Sequence, residues 1–148
     1  MTKKIFRKII DGELSLSPAA QTLGARILKV YPENGTIQMA YEGTKAFTNP
    51  QGYIQGGIVA SMLDNSMSLA LMSMLDGDEF APTLELKVNF ISPAIIGRLE
   101  GLGKVLSKKN IVCVVEGELR QEGILVAKST ATALIRRKAN MNIQSQQD

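Results

Sequence analysis

The sequence contains no histidine and only one cysteine in 148 residues. Without histidine, the chain cannot form a Ser-His-Asp or Cys-His catalytic arrangement, and it cannot bind a metal ion through imidazole. Its one thiol, Cys113, can form neither an internal disulfide nor a zinc site made of several thiolates. Because Cys113 lies in an apolar strand, we interpret it as core packing. Any chemistry must therefore use carboxylates, amides, hydroxyls and backbone groups, and we expect no cofactor and no metal ion.

The chain also lacks a strong charge of either sign. Seventeen lysines and arginines against 14 acidic residues give a net charge of +3, which suits a small anionic ligand and is too weak to indicate nucleic acid. The basic residues near the N-terminus are followed by Asp11 and Glu13 instead of the long apolar segment of a secretory signal. We therefore expect a cytoplasmic protein.

The hydrophobic content of 45% predicts a folded chain with a real core. We expect one domain over residues 1–138, followed by a polar tail over residues 139–148, rich in Gln and Asn and disordered.

One long apolar segment is predicted to form a helix over Gly57–Leu75, which ends at Asp76-Gly77-Asp78. The segment is nearly long enough to span a membrane, but Asp64 and several serines favour a buried helix and no membrane partner. Residues before Ser17-Pro18 form a mixed, partly helical lead-in. Period-two patterns and turn signals predict these strands: Ala25–Tyr31, Thr36–Tyr41, Thr83–Ile91, Arg98–Ser107, Ile111–Arg120 and Ile124–Arg137.

This order, with strands set apart from a single helix, favours an α+β fold with an antiparallel sheet. A helix that is apolar on nearly all faces must be surrounded. We therefore expect a curved sheet of about six strands to wrap the central helix. A sheet face or edge would stay uncovered, which favours a homodimer at least, and a homotetramer as a larger assembly.

Asp64 is the only charged residue between Gly56 and Leu75. A buried carboxylate is costly unless it is hydrogen-bonded or solvated. Taken alone, Asp64 could equally well be a catalytic residue or a structural residue that binds the backbone of a neighbouring loop.

The stretch "NPQGYIQGGIVASMLDN", followed by "PTLELKVNFISPA", resembles the PaaI-type hotdog-fold thioesterases. Their pattern is Asn, a short loop with Gly, His-Gly-Gly, an apolar helix carrying Asp, and a strand ending in Ser-Pro-Ala. The resemblance covers roughly residues 20 to 137. It implies a hotdog fold and a thioesterase acting on a small or medium acyl-CoA.

The resemblance also implies a role for individual residues. Gly57 would polarise the thioester carbonyl through its backbone N–H, and Asp64 would act as general base or nucleophile. Asn49 would help to position the reacting groups, and Thr83 would orient the attacking water. Gln55 stands where the family usually has histidine, although its amide can still donate and accept hydrogen bonds.

Helix geometry supports the same assignment independently. Helix N-termini expose unpaired N–H groups and a partial positive charge, and Gly56 and Gly57 let a carbonyl approach closely. Asp64 lies two turns further along, about 10 Å from Gly57 along the axis. Two antiparallel helices from two chains would bring Gly57 of one chain close to Asp64 of the other. The resemblance implies this arrangement, because the family takes Gly from one subunit and Asp from the other. Asp64 needs nearby donors, and Asn49, Asn65 and Thr83 are the candidates.

Other residues could contact the substrate or serve only the fold. Phe47 and Tyr53 could contact the acyl or pantetheine chain, or simply pack. Either Lys108-Lys109 or Arg136-Arg137-Lys138 could meet the phosphates of coenzyme A, or be solvated charges.

Three functions compete at this point. The first is thioester hydrolysis with Asp64 and Gly57, and the second is a non-catalytic hotdog protein that binds acyl thioesters or another apolar ligand, which Gln55 supports. The third, a hotdog hydratase or dehydratase, would call for a catalytic histidine that this chain lacks.

Overall fold

The computed structural model describes residues 2–138. The tail predicted over residues 139–148 lies outside them. The helices are α1 (Thr2–Ile10), α2 (Pro18–Thr22) and α3 (Gly56–Met72), with a short 3-10 turn at Lys45–Phe47. The strands are β1 (Arg26–Tyr31), β2 (Thr36–Gly43), β3 (Glu79–Phe80), β4 (Thr83–Phe90), β5 (Gly97–Lys109), β6 (Val112–Gln121), β7 (Ile124–Leu134) and β8 (Arg136–Arg137).

Six of these strands form one antiparallel sheet in the order β1-β2-β5-β6-β7-β4. The long helix α3 packs against one face of this sheet, with most of its contacts on β5 and β6. The ladder register shifts in four of the strand pairs, and such bulges bend and twist a sheet. The predicted α+β hotdog fold, with one long helix packed on a curved six-stranded sheet, is confirmed.

Three glycines on the helix-facing side of the sheet allow α3 to approach closely. A methyl group at Gly103 would overlap the carbonyl oxygen of Ser66 in the helix backbone. At Gly101 it would lie 2.5 Å from the Ser66 hydroxyl, and at Gly117 3.1 Å from the side chain of Met67 in α3. These three residues, the glycine track, fix how near the helix axis lies to the sheet.

The core lies between α3 and the sheet. Cys113 is completely buried there, as expected for core packing, and burial raises the pKa of its thiol. On the helix, Met62 and Met67 are buried as well, whereas Met72 is only half-buried. None of the helices within residues 2–138 is long and apolar enough to cross a membrane.

Local structure differs from the sequence prediction at three places. Pro18 begins α2 instead of ending a lead-in, because Ser17 caps the helix and proline fits its first turn. The helix α3 ends three residues earlier than predicted, at Met72. The last strand is interrupted at Ile135, after which β8 pairs with β3 in a separate two-stranded sheet.

The helix α3 is not enclosed on all sides, contrary to the expectation for a helix so rich in apolar residues. Positions that repeat every three to four residues along one side of it stay half-buried or exposed. Beside them runs the edge strand β4, where Leu84 is 60% exposed and Phe90 59% exposed. We call these helix positions the open stripe: Gly57, Ser61, Asp64, Asn65, Ser68 and Met72.

We expect Gly103→Ala to lower the free energy of unfolding by roughly 2–3 kcal/mol, because the new methyl group forces the α3 backbone away from β5. Without that contact, alanine in a strand would be neutral or stabilising relative to glycine. Urea denaturation followed by circular dichroism measures the change.

The control is Lys104→Ala, at the next and exposed position of the same strand. Its effect should stay within about 0.5 kcal/mol. Equal effects of the two substitutions would refute the close-packing argument.

Candidate active site

The N-terminus of α3 presents two free backbone donors. The carbonyl oxygen of Gln55 accepts hydrogen bonds from the N–H groups of Ile58 (2.9 Å) and Val59 (3.1 Å). Within residues 2–138, the N–H groups of Gly56 and Gly57 donate to no acceptor, as is usual for the first turn of a helix. The helix dipole adds partial positive charge at this end, so a carbonyl oxygen or an anion can be bound here.

The two glycines differ in the space around them. A methyl group placed on Gly57 would meet nothing within 4 Å, whereas one on Gly56 would lie 3.2 Å from the ring of Phe90. A ligand can therefore approach the helix end at Gly57 unhindered, while Phe90 covers the side of Gly56.

Asp64 is half-buried on the open stripe, two helical turns beyond Gly57. Its Oδ1 accepts a hydrogen bond of 2.8 Å from the hydroxyl of Thr83, at the start of β4. A donor of this kind stabilises an ionised carboxylate. The pairing joins residues 19 positions apart, and it depends on β4 lying along α3.

The sequence also suggests Asn49 and Asn65 as donors to Asp64. Within the described residues, neither side chain forms a hydrogen bond to it. The side-chain oxygen of Asn49 accepts the N–H groups of Gln51 (3.0 Å) and Tyr53 (3.1 Å), which closes its own loop. Asn65 instead accepts a 3.0 Å hydrogen bond from the hydroxyl of Tyr41. Local loop geometry and a strand neighbour thus bind the side-chain oxygens of these two residues, and Thr83 remains as the donor to Asp64.

A shallow cleft of about 310 Å³ opens beside the helix N-terminus. Its walls are held in place through the backbone, since Ile54 donates to the carbonyl oxygen of Ala94 (2.8 Å) and Gln55 donates to that of Phe47 (2.8 Å). The cleft is largely apolar. Its lining includes Asn49, Tyr53, Gly56, Phe90, Ile91 and Ala94.

Sequence reasoning selected Asn49, Tyr53 and Gly56 but missed Phe90 and Ile91. Both lie at the end of a strand with a period-two pattern, which predicts which side chains share a face. The pattern does not predict which face or edge of the sheet stays uncovered. Their exposure, 59% and 54%, follows from the edge position of β4.

The side chain of Gln55 is exposed at the start of α3 and makes no hydrogen bond to any described residue. Its amide is therefore available to a ligand at the same helix end as Gly57.

The two basic clusters come together at the other end of α3. Ile135 donates to the carbonyl oxygen of Ile111 (2.7 Å), which brings β8 beside the turn between β5 and β6. We call the resulting set the basic patch. It consists of Lys108, Lys109, Arg136 and Arg137.

Two members of the basic patch already have partners. The Nζ of Lys108 donates to the carbonyl oxygen of Met74 (3.1 Å), and Arg137 pairs with Glu79 at 3.7 Å. Lys109 and Arg136 are exposed and form no ion pair with a described residue. A helix of 17 residues is about 25 Å long, so within one chain the patch lies far from Gly57.

Known proteins are similar to this chain in sequence and in fold. Residues 51–128, more than half of the chain, match the model of the thioesterase superfamily. A Saccharolobus solfataricus protein named "Putative esterase" is 32% identical over 116 residues, which cover 78% of this chain and 81% of the relative.

Solved structures agree with this assignment. A Ralstonia eutropha JMP134 protein named "putative thioesterase, phenylacetic acid degradation-related protein" superposes with a TM-score of 0.83 at 37% identity, over 87% of this chain and 98% of that one. A thioesterase family protein from Silicibacter pomeroyi gives a TM-score of 0.78 at 25% identity, over 89% and 98%. The resemblance to PaaI-type hotdog thioesterases is confirmed, and the chain belongs to the thioesterase superfamily.

Proposed function

We propose that this protein hydrolyses the thioester of a small or medium acyl-CoA. Asp64 acts as general base or nucleophile, and the N–H of Gly57 polarises the thioester carbonyl. The observation that carries the proposal is that a free helix-terminal donor and a Thr83-bonded carboxylate both lie on the open stripe. Membership of the thioesterase superfamily supports the reaction class.

The chemistry suits these groups. Negative charge develops on the carbonyl oxygen as water or a carboxylate attacks, so a fixed N–H donor binds the transition state more tightly than the ground state. Asp64 removes the proton of the attacking water or attacks the carbonyl carbon itself. The carbon–sulfur bond then breaks, and coenzyme A leaves as its thiol. Thr83 holds the carboxylate in place for either route.

The site is shared between two chains in this proposal. Gly57 and Asp64 of one helix are about 10 Å apart along the axis, too far for one carbonyl to reach both. The exposed side chains of Leu84 and Phe90, beside the unpaired edge of β4, support the association of a second copy. Two antiparallel helices would then place Gly57 of one chain beside Asp64 of the other. The assembly is a homodimer at least, and a homotetramer would pair two such dimers.

An antiparallel arrangement also gives the basic patch a role. The C-terminal end of one helix would lie near the N-terminal end of the other, so Lys109 and Arg136 could meet the phosphates of a bound coenzyme A. Lys108 would add charge while it holds the carbonyl of Met74.

The cleft supplies the remaining substrate contacts in this proposal. Tyr53 and the nearby Phe47 would lie along the acyl or pantetheine chain. Asn49 would fix the loop, and the amide of Gln55 would assist Gly56 and Gly57 at the carbonyl.

A second candidate function is a non-catalytic hotdog protein that binds acyl thioesters or another apolar ligand. The observation that favours it is Gln55, which cannot gain and lose a proton as the family's histidine can.

We expect Asp64→Asn to lower kcat/KM for thiol release roughly 100- to 10,000-fold, because the amide can neither take a proton nor attack the carbonyl. A panel of acyl-CoAs and a thiol-reactive dye measure the rates, and the melting temperature checks the fold. Ser68→Ala, on the same stripe, is the control with little expected effect.

An unchanged kcat/KM in Asp64→Asn would show that the mechanism is wrong. Acyl-CoA binding without thiol release across the whole panel would favour the binding protein.

A mixture of two inactive variants tests whether the site is shared. Gly57→Pro removes the N–H donor, and proline is tolerated in the first turn of a helix. Co-refolding Gly57→Pro chains with Asp64→Asn chains should restore about a quarter of wild-type activity, because half of the dimers are mixed and each has one intact site. A mixture as inactive as its two components would place each site within a single chain.

Substitutions of Gln55 test its amide. Gln55→Ala should lower kcat/KM about tenfold through loss of one hydrogen bond to the substrate, while Gln55→His should match or exceed the wild-type rate. Gln51→Ala, in the same loop, is the matched control. If Gln55→Ala behaves like Gln51→Ala, the amide of Gln55 takes no part in hydrolysis.

A further inference from the structure

A buried chain of hydroxyl groups ends at the residue next to Asp64. The hydroxyl of Tyr41, in β2, lies 2.7 Å from the hydroxyl of Ser66 and 3.0 Å from the side-chain oxygen of Asn65. Tyr41 is only 1% exposed and Ser66 is fully buried, whereas Asn65 is half-buried on the open stripe. Among the described residues, Asn65 is the one hydrogen-bond partner of these hydroxyls that is not buried.

The direction of these hydrogen bonds follows from the number of acceptors. Tyr41 is the only hydrogen-bond partner of the Ser66 hydroxyl among the described residues. A buried donor without an acceptor is costly, so Ser66 donates to Tyr41. Tyr41 then donates its own proton to the oxygen of Asn65. This hydrogen bond orients the amide through its oxygen, and its NH₂ group donates to no acceptor among the described residues.

Tyr41 keeps its proton in this position. Burial raises the pKa of Tyr41, and the nearby charge of Asp64 raises it further, while the hydrogen bond with Ser66 partly opposes the rise. The phenol is therefore a donor across the whole neutral range, and the orientation of the Asn65 amide does not depend on pH there.

The fold leaves the tyrosine little freedom to move. A methyl group at Gly101 would lie 2.5 Å from the Ser66 hydroxyl and 2.8 Å from the ring of Tyr41. Gly101 thus makes the room in which these two side chains meet. The packing of α3 on the glycine track therefore also positions the amide of Asn65.

Asn65 lies on the same stripe as Gly57, eight residues further along the helix, and next to the reacting carboxylate. Successive side chains in a helix point about 100° apart, and Asn65 makes no hydrogen bond to Asp64. Its NH₂ group is therefore available to an acceptor outside the described chain.

We propose that Asn65 is a second hydrogen-bond donor to the thioester carbonyl oxygen, and that Tyr41 is the positioning residue that turns its NH₂ group towards the substrate. The inference rests on the proposed hydrolysis and adds a donor from the chain that supplies Asp64. Gly57 and Asn65 then bind the same oxygen from two sides.

A double-mutant cycle tests both roles. Asn65→Ala should lower kcat about a hundredfold with KM within about threefold, as for loss of one donor to a developing oxyanion. Tyr41→Phe should lower kcat about tenfold, because the amide remains but is no longer held in one orientation. In the Asn65→Ala background, Tyr41→Phe should have no further effect on kcat. Tyr31→Phe, an exposed tyrosine in β1, is the control.

A purely structural role gives a different pattern. Tyr41→Phe would then lower the melting temperature equally in both backgrounds and leave kcat unchanged well below that temperature. Because Tyr41→Phe leaves the surface unchanged, it decides the question even if Asn65→Ala fails to assemble.

Failure of the proposed hydrolysis is recognised separately, as absence of thiol release from the wild-type protein. In that case, binding of a dethia acyl-CoA, in which CH₂ replaces the thioester sulfur, decides the inference. Asn65→Ala and Tyr41→Phe should each weaken that binding about five- to tenfold. Unchanged kcat in an active protein, or unchanged Kd in an inactive one, overturns the role of Asn65.

Discussion

Contact between the backbone of α3 and the glycine track is the constraint on which the rest of the structure depends. Gly103 leaves no room for a side chain between β5 and the helix. The helix axis is therefore fixed relative to the sheet, and so are the groups at its end and along its stripe. Asp64 reaches Thr83, and Ser66 reaches Tyr41, only because the helix lies at this depth. The packing of the helix backbone against the sheet thus sets the positions of the site residues.

Much of the fold could be predicted because its signals are local. The apolar run that forms α3 and the period-two patterns of β5 to β7 each reflect burial of a repeated face. The short elements gave no such signal. Two residues cannot show a period, so the pairing of Glu79–Phe80 with Arg136–Arg137 was missed. The start of α2 at Pro18 was missed because proline marks both the beginning of a helix and a break in one.

The candidate site was selected by its motif, whereas several of its contacts could not be predicted. The family resemblance named Gly57, Asp64 and Thr83, and a hydrogen bond joins the last two. Asn49 and Asn65 can both donate hydrogen bonds to a carboxylate, but the sequence does not show their partners. Asn49 binds the backbone of its own loop, and Asn65 binds Tyr41, which is distant in sequence. The two basic clusters could not be joined from sequence, since only the path of β8 brings them together. The period-two pattern of β2 does not predict the role proposed for Tyr41.

Within residues 2–138, the outer edge of β4 pairs with no strand, and Leu84 and Phe90 are exposed beside it. A folded chain with such an edge offers a template to any other extended backbone. A second folded copy that occupies this edge stabilises the native state by mass action, whereas an unfolded or foreign strand there begins an aggregate. In the proposed homodimer, the resistance of the chain to heat therefore becomes a function of its own concentration. Dilution of that homodimer would expose the edge of β4 again and lower the stability of the fold.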